Sequence, residues 1–240
     1  MDRDIPCQDA WAAGVPGENR FVLAVADGLG SARHSDLGAR LAVDVAVETL
    51  SRHCTEEAGP GVRLCEIEKT ERMLLDAAGS ARSALVEEAG LAGYAIRDLA
   101  CTLIIVLCDQ GRISVAQIGD GGVVGLTARG PVLLSDPGES EYLNVVTPLT
   151  GDDWEADLRI TADIPGVSAC AAFTDGCQRA VLVKDSEGYE PFAPFFLPLF
   201  SYARDVMDPA LAGDEVASLL SSQRFSENSE DDKTLCLAVF

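Results

Sequence analysis

Four apolar runs in this chain stop at an aspartate or start just after one. Asp27 follows Phe21 to Ala26 (FVLAVA), Asp120 follows ISVAQIG, Asp175 follows ACAAFT, and Asp231 stands just ahead of TLCLAVF. The runs are short and almost wholly apolar, which reads as strands buried on both faces. Glycine follows three of these aspartates, at 28, 121 and 176. It lets the backbone turn sharply and come close to a bound ion. One Asp-Gly pair alone is only a turn signal. Several at strand ends say more, because strands that share a sheet bring their ends to one edge. A fifth aspartate, Asp9, lies in Cys7-Gln8-Asp9-Ala10. Carboxylates gathered in one place repel each other unless a cation sits among them, and hard cations take oxygen ligands.

The rest of the chain reads as strand clusters separated by helices. Ser35 to about His53 carries Leu37, Leu41, Val45 and Leu50 at helical spacing, with Ser35 as its cap. Residues 55–63 hold Gly59-Pro60-Gly61 and read as a loop. A second helix covers about 66–90, with Ile67, Leu74, Ala77, Ala81 and Leu85 as its inner stripe. Thr102 to Leu107 and Ile113 to Ile118 form a hairpin about Asp109-Gln110-Gly111. Val123 to Leu126 and Val132 to Leu134 form another. Residues 135–156 read as a loop or flap. Leu158 to Ile160 and Val167 to Phe173 read as strands, the second ending in an Asp175-Gly176 turn. Helices are expected at 192–205 and 208–222, an acidic loop from Phe225 to Asp232, and a closing strand from Thr234. Clustered strands argue for an α+β architecture and against repeated βαβ units. With 240 residues and no visible linker, one domain over 1–240 is expected.

Composition narrows the function. Lys and Arg number 18 against 39 Asp and Glu, a net charge of −21. Such a chain repels nucleic acid and acidic membrane surfaces. The charged start Met1-Asp2-Arg3-Asp4 does not read as a signal peptide. The longest apolar runs are about half of what a membrane helix needs. The eight cysteines contain no Cys-x-x-Cys pair and no zinc spacing, and read as buried reduced thiols of a cytoplasmic protein. None has an Arg six residues on, so there is no Cys-x5-Arg phosphate loop.

The motifs match, in order, a known pattern. They are Gln8-Asp9-Ala10, Val25-Ala26-Asp27-Gly28-Leu29-Gly30, Ser35 with Gly38-Ala39, Cys101-Thr102-Leu103, Ile118-Gly119-Asp120-Gly121, Phe173-Thr174-Asp175-Gly176 and Asp231-Asp232-Lys233-Thr234. Over almost its whole length the chain resembles the metal-dependent protein phosphatases of the 2C type. The resemblance implies a four-layer α-β-β-α sandwich of two antiparallel sheets flanked by helices. It also implies a dinuclear Mg²⁺ or Mn²⁺ centre, with a third, weaker ion in some members. By position, Asp27 would bridge both metals and the Gly28 carbonyl would bind one. Asp175 and Asp231 would hold the other, Asp9 would act directly or through water, and Asp120 would support the third. The implied reaction is hydrolysis of phosphoserine or phosphothreonine in a protein, by a hydroxide shared between two ions about 3.5–4 Å apart. The implied catalytic set is Asp27, Asp175 and Asp231, and the implied setting is signalling opposite a partner kinase.

The chain departs from the family pattern at three points. Leu29 stands where many members have a histidine, with His34 nearby, and Asp232 stands where the usual residue is Asn. A phosphate-contacting Arg or His is expected ahead of Asp9, and Arg3, the single candidate, has a poor offset. These departures keep a second reading open, a catalytically weak relative that binds metal or phosphoprotein as a regulatory module. A third is an unrelated α+β module whose Asp-Gly pairs are only turns. Asn144, Thr147 and Thr150 in the flap read as residues that satisfy loop backbone or meet substrate. Trp154 and the run Pro191 to Phe200 read as core.

Overall fold

The computed structural model describes residues 6–55, 66–137, 146–186 and 188–240. The expectations for Arg3, Cys65, Asn144 and the Gly59-Pro60-Gly61 loop lie outside the described residues. Strands β1 (Ala10–Gly17) and β2 (Arg20–Ala26) open the chain, followed by helices α1 (Ser35–Thr55) and α2 (Glu66–Ala92). Two hairpins follow, β3 (Leu103–Asp109) with β4 (Arg112–Ile118) and β5 (Gly122–Thr127) with β6 (Gly130–Ser135). Next come α3 (Trp154–Asp157), β7 (Arg159–Pro165) and β8 (Val167–Phe173). The last part holds α4 (Asp175–Val181), β9 (Leu182–Lys184), β10 (Tyr189–Pro191), α5 (Ala193–Asp205), α6 (Pro209–Leu220), α7 (Gln223–Ser226) and β11 (Leu235–Val239).

The strands form two large antiparallel sheets, ordered β1-β2-β3-β4-β7 and β11-β8-β5-β6, and β9 pairs with β10. Side-chain alternation explains why the strands read as unbroken apolar runs. Val22, Ala24 and Ala26 of β2, with Leu103, Ile105 and Leu107 of β3, face α1 and α2. Leu23, Val25, Ile104 and Val106 face the other way and meet Val123, Cys170 and Ala172 of the second sheet. Val124, Ala169, Ala171 and Phe173 turn outward onto Cys177, Phe196 and Phe200 of α4 and α5. Each central strand is thus covered on both faces, and the layers run helix, sheet, sheet, helix, as expected.

Small residues set how closely α1 lies. Ala39, Ala42, Val43 and Ala46 are fully buried. A Cβ at Gly38 would fall 2.1 Å from the Leu99 carbonyl oxygen, so only glycine lets the helix reach the 96–99 turn.

Several details differ from expectation. Residues 10–17 form a strand although Gly14, Pro16 and Gly17 break its pattern, because pairing with β2 overrides local propensity. Ile67 is exposed, so the buried stripe of α2 starts at Leu74. Asp175 opens helix α4 instead of a turn, and one helical turn, α7, starts the acidic loop. The Ser35 hydroxyl accepts from Gln8 Nε2 at 2.6 Å instead of capping α1. Cys7 is exposed, whereas Cys101, Cys108, Cys170 and Cys177 are buried. Trp154 is buried as expected, but the 191–200 run is mixed: Phe196 and Phe200 are core while Phe192 and Leu197 are exposed.

Candidate active site

Asp27 leaves the end of β2 in a fixed frame. Its N–H donates to Thr102 Oγ1 at 2.9 Å, and its carbonyl accepts from the Thr102 N–H at 2.8 Å. The next N–H, on Gly28, donates to the Gln8 carbonyl at 3.1 Å. A Cβ on Gly28 would lie 2.7 Å from the Ser35 carbonyl and 2.8 Å from that of Gln8, so the close packing requires glycine.

Asp120 leaves the end of β4 and Asp175 starts α4 beside β8. The buried Gln117 holds the Asp120 loop, its Nε2 donating to the Gly121 carbonyl at 2.7 Å and the Asp136 carbonyl at 3.1 Å. Gly176 lies against the 231–232 segment so closely that a Cβ would sit 1.8 Å from the Asp232 carbonyl oxygen. Carboxylate oxygens of Asp27, Asp120 and Asp175 all lie within 4.8 Å of one another. Three separate elements thus deliver one acidic pocket.

Asp9 is buried beside it. The Thr174 hydroxyl donates to Asp9 Oδ2 at 2.8 Å and accepts from the Thr234 N–H at 3.0 Å. Asp9 Oδ1 and Asp175 Oδ1 are buried with no hydrogen-bond partner among the described residues. Asp231 is exposed at the rim, and its charge acts on Asp27, Asp120 and Asp175. Asp232 Oδ2 accepts from the Gln8 N–H at 2.7 Å, and its charge acts on Asp9. Of the two, Asp232 is therefore engaged in holding the N-terminal segment.

Burial is the main cause of the electrostatics here, and mutual repulsion adds to it. Burial, then the charges of Asp9, Asp175 and Asp231, push the Asp27 carboxyl up to about 9. Burial, then Asp120, Asp231 and Asp9, push Asp175 up to about 6. Asp9 and Asp120 are raised as well, burial first in each case. Among the described residues, none of the five aspartates has an ion-pair partner. Such a pocket can hold protons or cations, and little else.

The sequence motifs located the aspartates but gave no roles to the groups that hold them. Gln8, Thr102, Gln117 and Thr174 each sit within or beside a motif, and adjacency was the only signal for them. Leu29 carries no titratable group, and His34 stacks on Tyr94 with ring centroids 4.1 Å apart. Thr150 is buried, and Leu149 beside it donates to the Cys101 carbonyl at 2.8 Å.

Known proteins share this architecture. The serine-threonine phosphatase 2C from Toxoplasma gondii superposes with a TM-score of 0.66 at 17% identity, covering 99% of this chain and 91% of that one. The serine/threonine phosphatase Stp1 from Staphylococcus aureus gives 0.63 at 16% identity, over 98% of this chain and 90% of its own. The catalytic domain of the serine threonine protein phosphatase PstP, in complex with two manganese ions, gives 0.59 at 16%, over 100% and 93%. At these identities the likeness is one of fold, and the fold is that of a phosphatase. Sequence carries it further. A family model described as Protein phosphatase 2C matches residues 1–220. Serine/threonine-protein phosphatase 3 of Escherichia coli (strain K12) is 33% identical over 246 residues, covering 100% of this chain and 93% of the relative. The chain belongs to the protein phosphatase 2C family, and it is an enzyme of that kind.

Proposed function

We propose that this chain hydrolyses phosphoserine and phosphothreonine in proteins, using two divalent cations, Mg²⁺ or Mn²⁺, with room for a third. One observation carries this reading: three carboxylates from distant parts of the chain converge within 4.8 Å with no cationic side chain among the described residues to neutralise them. The orphaned Oδ1 atoms of Asp9 and Asp175 fit the same cations, since a buried carboxylate oxygen without a donor is costly. The manganese ions of the PstP catalytic domain, which shares the fold, agree with this.

In this reading Asp27 would be the central ligand, Asp175 and Asp231 would hold one ion, the Gly28 carbonyl would bind another, Asp9 would act directly or through water, and Asp120 would support a third. Bound divalent ions would supply Lewis acidity, making a water nucleophilic near neutral pH and offsetting phosphoryl charge. The residues do the rest. Thr102 and Gln8 fix the backbone of Asp27-Gly28, Thr174 orients Asp9, and Gln117 sets the Asp120 loop. Leu29 has no proton to give the leaving oxygen and His34 stacks on Tyr94, so in this reading water would fill that role. The described cysteines are all unpaired, which fits a cytoplasmic enzyme, and no helix among the described residues is long and apolar enough to cross a membrane. A kinase acting on the same targets is the expected counterpart.

Turnover of para-nitrophenyl phosphate with Mn²⁺, lost in Asp27→Asn and Asp175→Asn, tests the proposal. Metal binding without turnover would favour the regulatory module instead.

A further inference from the structure

β4 and β7 pair so that Gln117 stands directly opposite Arg159. Opposed side chains share a face of the sheet, and this is the face that Ile113 and Val115 of β4 turn to the second sheet. Both side chains cross to the end of β6 in that second sheet. Arg159 Nη2 donates to the Asp136 carbonyl at 3.0 Å and to the Gly119 carbonyl at 3.1 Å, while Nη1 pairs with Asp136 Oδ1 at 3.2 Å. Gln117 Nε2 lies on the same two carbonyls, at 3.1 and 3.3 Å, and on that of Gly121 at 2.7 Å. A guanidinium supplies this planar fork of donors, which a lysine ammonium cannot. The result is a clasp between the sheets, at the end that carries the carboxylates.

The clasp closes on the Gly119-Asp120-Gly121 loop, and that loop is a wedge. On one side a Cβ at Gly119 would lie 2.5 Å from Thr102 Cγ2, and Thr102 holds the Asp27 backbone by two hydrogen bonds. On the other side a Cβ at Gly121 would lie 2.5 Å from the Phe173 carbonyl oxygen, two residues ahead of Asp175. The loop therefore fills the space between the segments that deliver Asp27 and Asp175. Any shift of it moves Asp120 relative to both, and carboxylate oxygens within 4.8 Å of one another leave little slack. Arg159 meets the loop through a backbone carbonyl, and its charge is paired with Asp136.

We propose that Arg159 is a positioning residue for the Asp120 carboxylate. It fixes the loop, and through the loop the separation of Asp120 from Asp27 and Asp175. The proposal rests on the phosphatase reading, because that separation matters through the cations the three aspartates would share. Arg159 itself touches neither cation nor substrate.

The test is a double-mutant cycle on the full chain, read by calorimetric titration with Mn²⁺. Arg159→Ala is expected to weaken, by about tenfold, the Mn²⁺ step that Asp120→Asn also weakens. In the Asp120→Asn background the same change should shift affinity by less than about twofold, because the carboxylate it positions is gone. The Mn²⁺ concentration for half-maximal turnover of para-nitrophenyl phosphate should rise by the same factor as the affinity falls. Arg159→Lys keeps a charge beside Asp136 without the fork, so it should melt close to the wild type in EDTA yet lose most of the affinity that Arg159→Ala loses. Equal Mn²⁺ affinities in wild type and Arg159→Ala overturn the proposal. So does a loss of the same size in both backgrounds, which marks a merely structural role. If Arg159→Ala does not fold, Arg159→Lys takes its place in the cycle and is read in the same way. Coupled losses without any turnover leave the positioning role standing and sink the catalytic reading, and turnover with uncoupled losses does the reverse. A wild type that binds no Mn²⁺ removes both.

Discussion

Replacing Asp27 by Asn should make the metal-free protein more stable while it abolishes activity. At about pH 7.5 the unfolded Asp27 is ionised, since its ordinary value is 3.8, but in the fold its carboxyl is pushed up to about 9. Keeping a proton there at that pH costs at most about 5 kcal/mol, at 1.36 kcal/mol per pH unit. Water reaches part of the carboxylate and the neighbouring aspartates share the repulsion, so about 1–3 kcal/mol is the realistic relief. Asparagine keeps the size and drops the charge. For a chain of this length that relief is about 3–10 °C in Tm. Differential scanning calorimetry in EDTA reads it directly. Adding Mn²⁺ should reverse the order, because a ligand at a hundred times its Kd stabilises the wild type by about 2.7 kcal/mol and the variant by less. An Asp27→Asn variant that melts below wild type in EDTA would refute the argument that the pocket is held under charge repulsion.

Other perturbations follow from the same geometry. Thr174→Val removes the donor to Asp9 and the acceptor for the Thr234 N–H; urea unfolding should show a loss of about 1–3 kcal/mol, which Thr174→Ser largely restores. Gly176→Ala must push the start of α4 off the Asp232 carbonyl, so we expect a loss of about 1–3 kcal/mol and Mn²⁺ affinity at least roughly tenfold weaker by calorimetric titration. Gly90→Ala in α2 meets nothing within 4 Å and should instead raise Tm slightly, by about 0.5–1 kcal/mol of helix propensity. In EDTA the urea midpoint should fall as pH rises from about 4 through 6 to 9. Asp175 and Asp27 hold protons in the fold that the unfolded chain has already lost, so the folded state binds more protons across that window. A midpoint that climbs between pH 5 and 8 contradicts this, and saturating Mn²⁺ should flatten the trend.

Much of the site was legible because its chemistry is carried by residue types that stand out. Asp27, Asp120 and Asp175 end apolar runs and meet in space, as strand-end logic requires. The continuous apolar character of FVLAVA and LIIVLC likewise follows from burial on both faces in a four-layer fold. What escaped was set by tertiary contact. β1 hides behind two glycines and a proline and exists because β2 pairs with it. Gly176 reads as half of a turn, but its function is to let the Asp232 backbone approach, which no local pattern reveals. Gln117 looks like one polar residue in a strand, whereas its amide ties the Gly119 and Gly121 carbonyls of the Asp120 loop to the Asp136 carbonyl beyond β6. The Asp231-Asp232 pair was ambiguous in sequence; in the fold Asp232 accepts from the Gln8 N–H and its charge acts on Asp9, while the charge of Asp231 acts on Asp27, Asp120 and Asp175.

The proposed catalysis depends on aspartates from opposite ends of the chain sharing cations. Anomalous diffraction at the manganese edge, from crystals grown with Mn²⁺, tests this most directly. The expected map has manganese peaks in the pocket, bound by the carboxylates of Asp27, Asp175 and Asp231. A fully occupied crystal with no peak there, or with manganese only on surface carboxylates elsewhere, would contradict it.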